Sequence, residues 1–221
     1  MLIAEEFTLL AISAESGKPH LRDVSLRPAL CAAVLTELIL RERLGVTAAD
    51  LSWNKRERLT LLLDASMQDR ILDEAFEDAK RFIGKRPRDV ISRWNTYGRG
   101  KKMQGQLLDR LIAAKILGYD EERVAGIFPS KRYPELDPGP EREVRARINA
   151  ALLGADPDPR TAVLISLLLA TKVLPKVISA ETDKRAATKR AKEITEGEWA
   201  GAMVKQALDQ IKAGSAVAAT S

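Results

Sequence analysis

Two segments of the chain are apolar on nearly every helical face. One contains ALCAAVLTELIL and runs from Leu26 or Pro28 to Leu44, and the other contains TAVLISLLLA within residues 160–173. A surface helix shows a single apolar stripe, whereas a helix that is apolar all round is buried. The first segment therefore predicts a buried central helix that starts near its proline, where a missing N–H costs little. The second segment predicts another buried helix.

Amphipathic patterns with helical period predict further helices around these two segments. They cover about residues 2–12, 66–82, 88–94, 101–117 and 141–153, then a charged helix through Lys192 and a last helix at 198–213. Short breaks rich in Gly and Pro separate them, as expected where a helix must end.

Two other segments lack the helical period. Residues 45–64 alternate apolar and polar side chains, which predicts two short strands joined by a charged turn at 54–58. Residues 119–133 predict a β-hairpin or an irregular arm whose pairing is limited by Pro129 and Pro134. The pattern predicts a mainly α fold: a single helical domain over residues 1–213 around a buried central helix, with short β-hairpins and a disordered tail at 214–221.

Composition adds a preference for acidic partners. The chain has 221 residues, 45% of them hydrophobic and 30% charged, which is an ordinary globular balance. Its pI of about 9.3 indicates nucleic acid or an anionic membrane as the partner class. With one cysteine, an acidic N-terminus and no apolar run of about 18 residues, we expect a cytoplasmic protein that reaches a membrane only from outside.

The positive charge is concentrated in residues 80–102. This stretch holds nine Lys and Arg residues against the single acid Asp89, in a chain whose net charge is only +5. Charge runs are usually solvated helix faces, and that interpretation suits the residues up to Arg88. Arg99, Lys101 and Lys102 instead start a predicted helix, where exposed N–H groups and the helix dipole attract anions. Their position predicts an anion site.

Sequence motifs for catalysis are missing. The chain has neither a Gly-x-x-x-x-Gly-Lys phosphate loop nor a Gly-x-Ser-x-Gly elbow, and it has one His and one Cys. We interpret Cys31 as a buried apolar residue, His20 as solvated, Asp158 as a helix cap, and Glu37 as a buried carboxylate that needs a partner. We therefore expect a protein that is not an enzyme and has no metal site or cofactor.

The order of several segments resembles a known family. These segments are MLIAEEFTLLAIS, LRPALCAAVLTELILRERLGV, LLDAS, ILDEAF, LLDRLIAAKILG and RTAVLISLLLATKVL. Together they look like the Golgi phosphoprotein 3 family, in its bacterial branch, from Leu2 to about Leu208. The blocks TELILRERLGV and LLDRLIAAKILG are the most specific parts of the resemblance.

The resemblance implies both a fold and a function. Members of that family have a mainly helical single domain around a buried central helix, with a protruding β-hairpin. Eukaryotic members bind phosphatidylinositol 4-phosphate and retain glycosyltransferases by holding their cytoplasmic tails. By this resemblance, residues 26–44 form the central helix and residues 119–133 form the membrane-facing hairpin, with Asp120, Glu121 and Glu122 near its tip.

The family's headgroup-contacting positions fall, in an ungapped comparison, on Arg22, Cys31, Lys101 and Gln104. Of these, only Lys101 keeps a cation where the family has one, and lysine does not reproduce the bidentate geometry of arginine. The resemblance and the charge pattern together imply a looser anionic site. Its predicted headgroup-binding residues are Arg22, Arg99, Lys101, Lys102 and Gln104.

The leading hypothesis is a non-catalytic, cytoplasmic peripheral protein that docks on anionic phospholipid or phosphoinositide headgroups. Cytoplasmic tails of membrane enzymes are a further expected partner. One alternative is a winged-helix nucleic-acid binder, although the candidate recognition helix ALCAAVLTELIL is too apolar for a DNA groove. Another alternative is a biosynthetic accessory factor that binds a small anionic ligand near Arg22 and Lys101.

Overall fold

The computed structural model describes residues 1–47, 57–124, 128–179 and 182–197. Within these ranges the chain forms nine helices and two antiparallel strand pairs, so the predicted mainly α class is confirmed. The helices are α1 Ile3–Leu10, α2 Asp23–Leu40, α3 Arg70–Lys80, α4 Pro87–Thr96, α5 Arg99–Ala113, α6 Gly139–Leu152, α7 Pro159–Thr171, α8 Leu174–Val177 and α9 Lys184–Gly197. The strands are β1 Leu44–Val46, β2 Leu59–Leu61, β3 Asp120–Val124 and β4 Phe128–Arg132.

Helix α2 is the centre of the fold, as the apolar run predicts. It contacts α1, α3, α4, α5 and α7, and its side chains are buried almost without a break from Leu26 to Ile39. The helix begins earlier than predicted, at Asp23, so Pro28 is its sixth residue rather than part of its first turn. Proline has no N–H to donate to the preceding turn, so the helix loses one backbone hydrogen bond there.

Glu37 carries the buried charge of α2 and has the partners that its burial requires. Its carboxylate accepts hydrogen bonds from the Ile3 backbone N–H at 2.8 Å, Arg41 Nε at 2.9 Å and Arg160 Nη1 at 2.7 Å. The first of these bonds caps the start of α1, and the other two neutralise the charge. The structural interpretation of Glu37 is therefore confirmed: it joins α1, α2 and α7.

The two strand pairs form at the predicted positions, but one detail of the second was wrong. Strand β3 starts with Asp120, which pairs with Arg132, and the register ends at the Val124–Phe128 pair. Asp120 and Glu121 thus lie at the base of the hairpin, and Glu122 lies at its middle, rather than near its tip. The position of the acidic residues was mispredicted because Pro129 hid the strand pattern on the returning side of the hairpin.

Several predicted boundaries shift because local capping decides where a helix starts or ends. Helix α3 begins after Asp69, whose carboxylate accepts from the Ile71 and Leu72 N–H groups, so the predicted first turn from residue 66 is irregular. Helix α5 begins at Arg99 and ends before Lys115, which has a positive φ of 57°. The predicted helix at 198–213, the tail at 214–221 and most of the predicted turn at 54–58 lie outside the described residues.

A second, smaller apolar cluster fixes the base of the hairpin against α1 and α5. It consists of Leu9, Ile12, Leu111, Leu117 and Tyr133. The Tyr133 N–H donates to the Gly17 carbonyl at 2.7 Å. Gly17 has a φ of 65°, and a Cβ there would come within 3.0 Å of the Pro134 nitrogen. This close approach holds the base of the hairpin against the loop between α1 and α2, beside α5.

Candidate functional site

A groove of about 740 Å³ lies between the start of α2, one face of α5 and the base of the hairpin. This volume is within the range of about 300–1,000 Å³ that is typical of small-molecule sites. We name it the α5 groove. Its lining residues are Pro19, Asp23, Arg27, Lys101, Gln104, Gly105, Leu108, Asp109, Ile112, Tyr119, Lys131 and Tyr133.

The α2 wall of the groove carries a closed set of polar contacts. Arg27 Nε donates to Gln104 Oε1 at 2.9 Å, and the Gln104 amide donates to Asp23 Oδ1 at 3.1 Å. The guanidinium of Arg27 also pairs with the other oxygen of Asp23, one turn earlier in the helix. Because each group holds the next, the Arg27 guanidinium is fixed at the rim of the groove.

The hairpin wall is aromatic and cationic. The rings of Tyr119 and Tyr133 lie with their centroids 5.9 Å apart and tilted by 51°. Burial raises the pKa of Tyr133, so its hydroxyl stays protonated at neutral pH and can donate a hydrogen bond. Lys131 of β4 is exposed and adds a third cation to those of Arg27 and Lys101. This wall combines an apolar surface with hydrogen-bonding groups.

Lys101 and Gly105 form the open part of the groove floor. The side chain of Lys101 is exposed and, within the described parts of the chain, makes no hydrogen bond or ion pair. Gly105 lies one turn later, and a Cβ built on it would meet nothing within 4 Å. The groove therefore offers one uncommitted ammonium group beside free space.

The structure places Arg99 and Lys102 on the other face of α5, against α3. Arg99 Nη1 lies 3.2 Å from Glu74 Oε2 and its Nε lies 3.4 Å from Asp78 Oδ2, while Lys102 Nζ is 2.7 Å from Glu74. Hydrogen bonds from Lys102 and Arg70 lower the pKa of Glu74 to about 2. The anion that the cationic helix start needs is thus partly supplied by α3 itself.

The remaining predicted positions lie apart from the groove lining. Arg22 is the exposed N-cap residue of α2 and is not among the lining residues. Cys31 is fully buried, as interpreted from sequence, and burial raises the pKa of its thiol to about 12. Of the five predicted headgroup residues, the structure brings only Lys101 and Gln104 together in the groove.

Sequence reasoning missed Arg27, which supplies the arginine of the groove. It lies one helical turn before Cys31, the position that the ungapped comparison selected. A usable signal was present: Asp23 and Arg27 stand at i and i+4, a spacing that joins opposite charges on one helix face. Once α2 is seen to begin at Asp23, Arg27 is exposed to the groove rather than lying before the helix.

Other candidate chemistry receives no support from the geometry. His20 is exposed, and Asp158 caps α7 by accepting from the Thr161 N–H at 3.0 Å, as interpreted. Over the described ranges there is no cluster of His, Cys, Asp or Glu that could hold a metal ion. Among the helices in those ranges, none combines the length and apolarity needed to cross a bilayer.

The fold and the site define a mainly helical protein built around a buried central helix, with a cationic groove beside a β-hairpin. A family model described as Golgi phosphoprotein 3 (GPP34) matches residues 3–211. The chain therefore belongs to the Golgi phosphoprotein 3 family. No match was found among curated proteins.

Proposed function

We propose that this protein is a non-catalytic peripheral binder that holds the anionic headgroup of a phospholipid in the α5 groove. The observation that carries the proposal is the uncommitted Lys101 ammonium, which lines the same groove as the fixed Arg27 guanidinium and Lys131. Phosphate oxygens accept charge-assisted hydrogen bonds from these groups. Family membership supports the same direction, since the resemblance implies headgroup binding at this helix start.

The groove also suits the non-phosphate part of a headgroup. Asp23 and Asp109 line it and can accept hydrogen bonds from hydroxyl groups, and the Tyr119–Tyr133 pair offers an apolar surface. Together with the three cations, these groups favour a headgroup that carries both phosphate and hydroxyls, such as phosphatidylglycerol, cardiolipin or a phosphoinositide. We propose binding to a cytoplasmic membrane face, with tails of membrane enzymes as further partners.

The winged-helix alternative is disfavoured by the burial of α2. The apolar segment that would have to enter a DNA groove is covered by α1, α3, α4, α5 and α7. A recognition helix needs exposed polar side chains that reach base edges. The small-ligand alternative uses the same groove and is distinguished by whether binding requires a lipid surface.

Sedimentation with vesicles tests the proposal. Phosphatidylcholine vesicles would carry added phosphatidylglycerol, cardiolipin or phosphatidylinositol 4-phosphate, at low and physiological salt. Lys101→Gln should weaken binding by about 1 kcal/mol, or roughly fivefold, because each lysine near an anionic surface contributes about that much. Lys102→Gln is the matched control, since it removes the same charge from the next residue, which faces Glu74.

Salt-sensitive binding that Lys101→Gln weakens and Lys102→Gln leaves unchanged would support the proposal. An equal effect of the two substitutions would instead indicate general charge attraction. Failure to sediment with any of these vesicles would overturn the proposal, and binding of a soluble glycerol phosphate in the same groove would then favour the small-ligand alternative.

A further inference from the structure

A second cleft, of about 250 Å³, lies on the opposite side of the start of α5. It is formed by the ends of α3 and α4 and the first residue of α5, and it shares no lining residue with the α5 groove. We name it the arginine cleft. Its lining residues are Asp78, Arg81, Phe82, Arg93, Trp94, Tyr97 and Arg99.

Buried donors without acceptors distinguish this cleft from an ordinary charged surface. Trp94 is 3% exposed, and its indole N–H is buried with no hydrogen-bond partner in the described part of the chain. Arg99 is 12% exposed, and its Nη2 is likewise buried without a hydrogen-bond acceptor there, while its Nε lies 3.4 Å from the Asp78 carboxylate without donating a hydrogen bond to it. Buried polar groups are nearly always hydrogen-bonded, so these donors indicate an acceptor that the chain itself does not provide.

Two further guanidinium groups border the same cleft and leave donors available. Arg93 lies over the Tyr97 ring, 4.6 Å from its centroid, and donates to the Tyr97 hydroxyl at 3.2 Å. This stacking orients the guanidinium and leaves its other N–H groups free of the ring. Arg81 is 77% exposed and lies 3.6 Å from Asp78. The cleft thus has one fixed and one adjustable arginine at its border.

The balance of charge selects an anion as the missing acceptor. Three arginines line the cleft with a single carboxylate, Asp78, which already lies between Arg81 and Arg99. Glu74 accepts a hydrogen bond from Arg99 Nη1 and Asp78 lies near Nε, which leaves the buried Nη2 without an acceptor among the described residues. The three guanidinium groups would repel a cation, and a neutral sugar would not offer them a charged acceptor.

The number of donors favours phosphate over carboxylate. Arginine pairs bidentately with oxyanions, so Arg81, Arg93, Arg99 and the Trp94 indole present more N–H groups than the two oxygens of a carboxylate accept. A phosphate group has three or four oxygens arranged tetrahedrally. We infer that the arginine cleft binds a phosphate group, either of a soluble phosphorylated compound or of a lipid headgroup. This site is separate from the headgroup site proposed for the α5 groove.

Nuclear magnetic resonance of the Trp94 indole N–H tests the inference directly on the full chain. The signal is identified by its loss in Trp94→Phe, which keeps an apolar ring at that position. Inorganic phosphate is titrated at constant ionic strength against chloride. We expect a saturable shift with phosphate and none with chloride over the same range, because a chloride ion lacks the separate oxygens that pair bidentately with guanidinium groups.

Arg81→Gln combined with Arg93→Gln should weaken phosphate binding by at least about tenfold, since each removes a charged hydrogen-bond donor. Both side chains are exposed, so the fold should survive. Arg185→Gln with Lys189→Gln removes the same charge from exposed positions on α9 and should leave binding unchanged. Lys101→Gln should also leave it unchanged, which separates this site from the α5 groove.

Vesicles containing phosphatidic acid separate the two sources of phosphate. If the double arginine variant sediments less than the α9 control, the cleft takes a lipid phosphate. If the two variants sediment equally while phosphate still shifts the indole signal, the cleft takes a soluble phosphorylated compound. The inference is overturned if phosphate gives no saturable shift and the two variants sediment equally, or if the double variant shows the same shift as the unsubstituted chain.

Discussion

The two faces of the first turns of α5 have similar sequences and different surroundings. On the α3 face, Arg99 and Lys102 lie against Glu74, whose carboxylate also pairs with Arg70. On the groove face, Lys101 has no partner within the described residues, and Gly105 opens onto free space. Neighbouring cations of one helix can therefore have different roles. Arg99 and Lys102 join α5 to α3, whereas Lys101 remains available to a ligand.

The largest expected effect contrasts two glycines of α5. A Cβ at Gly100 would lie 3.1 Å from the sulfur of Cys31, which is fully buried, whereas a Cβ at Gly105 meets nothing. Gly100→Ala should lower the free energy of unfolding by about 1–2 kcal/mol, because overpacking outweighs the gain in helix propensity. Gly105→Ala should raise it by up to about 1 kcal/mol. Urea unfolding measures both changes.

Cys31→Ala provides the control for the Gly100 substitution. It removes the sulfur that the new methyl group would meet, so Gly100→Ala should cost less in that background than in the unsubstituted chain. Equal changes in unfolding free energy for Gly100→Ala and Gly105→Ala would show that α5 packs on α2 differently from this structure.

The second-largest expected effect concerns Glu74, the α3 carboxylate that pairs with Arg99 and Lys102 of α5. Glu74→Gln should lower the free energy of unfolding by about 1 kcal/mol at neutral pH, since it weakens a network of partly exposed ion pairs. The folded pKa of about 2 is below the ordinary value of 4.5. This contribution is therefore fully present above pH 4.5 and is lost as the pH falls towards 2.

Unfolding of Glu74→Gln and the unsubstituted chain between pH 5 and pH 2 checks this prediction. The difference in unfolding free energy between the two proteins should shrink as the solution becomes more acidic. A difference that stays constant across this range would contradict the ion pairing on the α3 face. The vesicle affinity at neutral pH should not fall in Glu74→Gln, because the groove face is unaffected.

The smallest expected effect is the loss of vesicle affinity when Arg27, which lines the groove, is replaced; Arg22, which was predicted from sequence, serves as the comparison. Arg27→Lys keeps the charge but loses the fork that binds Gln104 and Asp23 together, so vesicle affinity should fall by about 0.5–1 kcal/mol, or a few-fold. Arg22→Lys should have no measurable effect, since Arg22 is outside the groove lining. Vesicle sedimentation of both variants measures the difference. A larger loss of affinity for Arg22→Lys than for Arg27→Lys would contradict headgroup binding in the α5 groove and place the binding site nearer Arg22.

Features that depend on local pattern were predictable from the sequence. The unbroken apolar run correctly predicted the buried central helix. The position of Cys31 within this run correctly predicted that its side chain is buried. Because a buried carboxylate needs partners, the structural role of Glu37 was predictable. The identity of its partner Arg160, which lies 123 residues away along the chain, was not. Burial patterns are local in sequence, whereas ion-pair partners are set by tertiary packing.

The candidate site was only partly predictable for the same reason. The charge pattern located the start of α5 but could not show that Glu74, 25 residues before Arg99, would neutralise one of its faces. Arg27 was missed because α2 begins earlier than its apolar run indicates. The hairpin register was also hidden, since Pro129 interrupts the period of the returning strand.

The central claim is that the α5 groove holds an anionic headgroup, and filling the groove tests it most directly. Gly105→Phe places a ring in the free space beside Lys101 without altering any charge, and Gly105→Ala is its control. The measurement is sedimentation with phosphatidylglycerol or phosphoinositide vesicles at physiological salt. The account predicts that Gly105→Phe loses binding by at least about tenfold while Gly105→Ala keeps it. Full binding by a folded Gly105→Phe variant would contradict the claim.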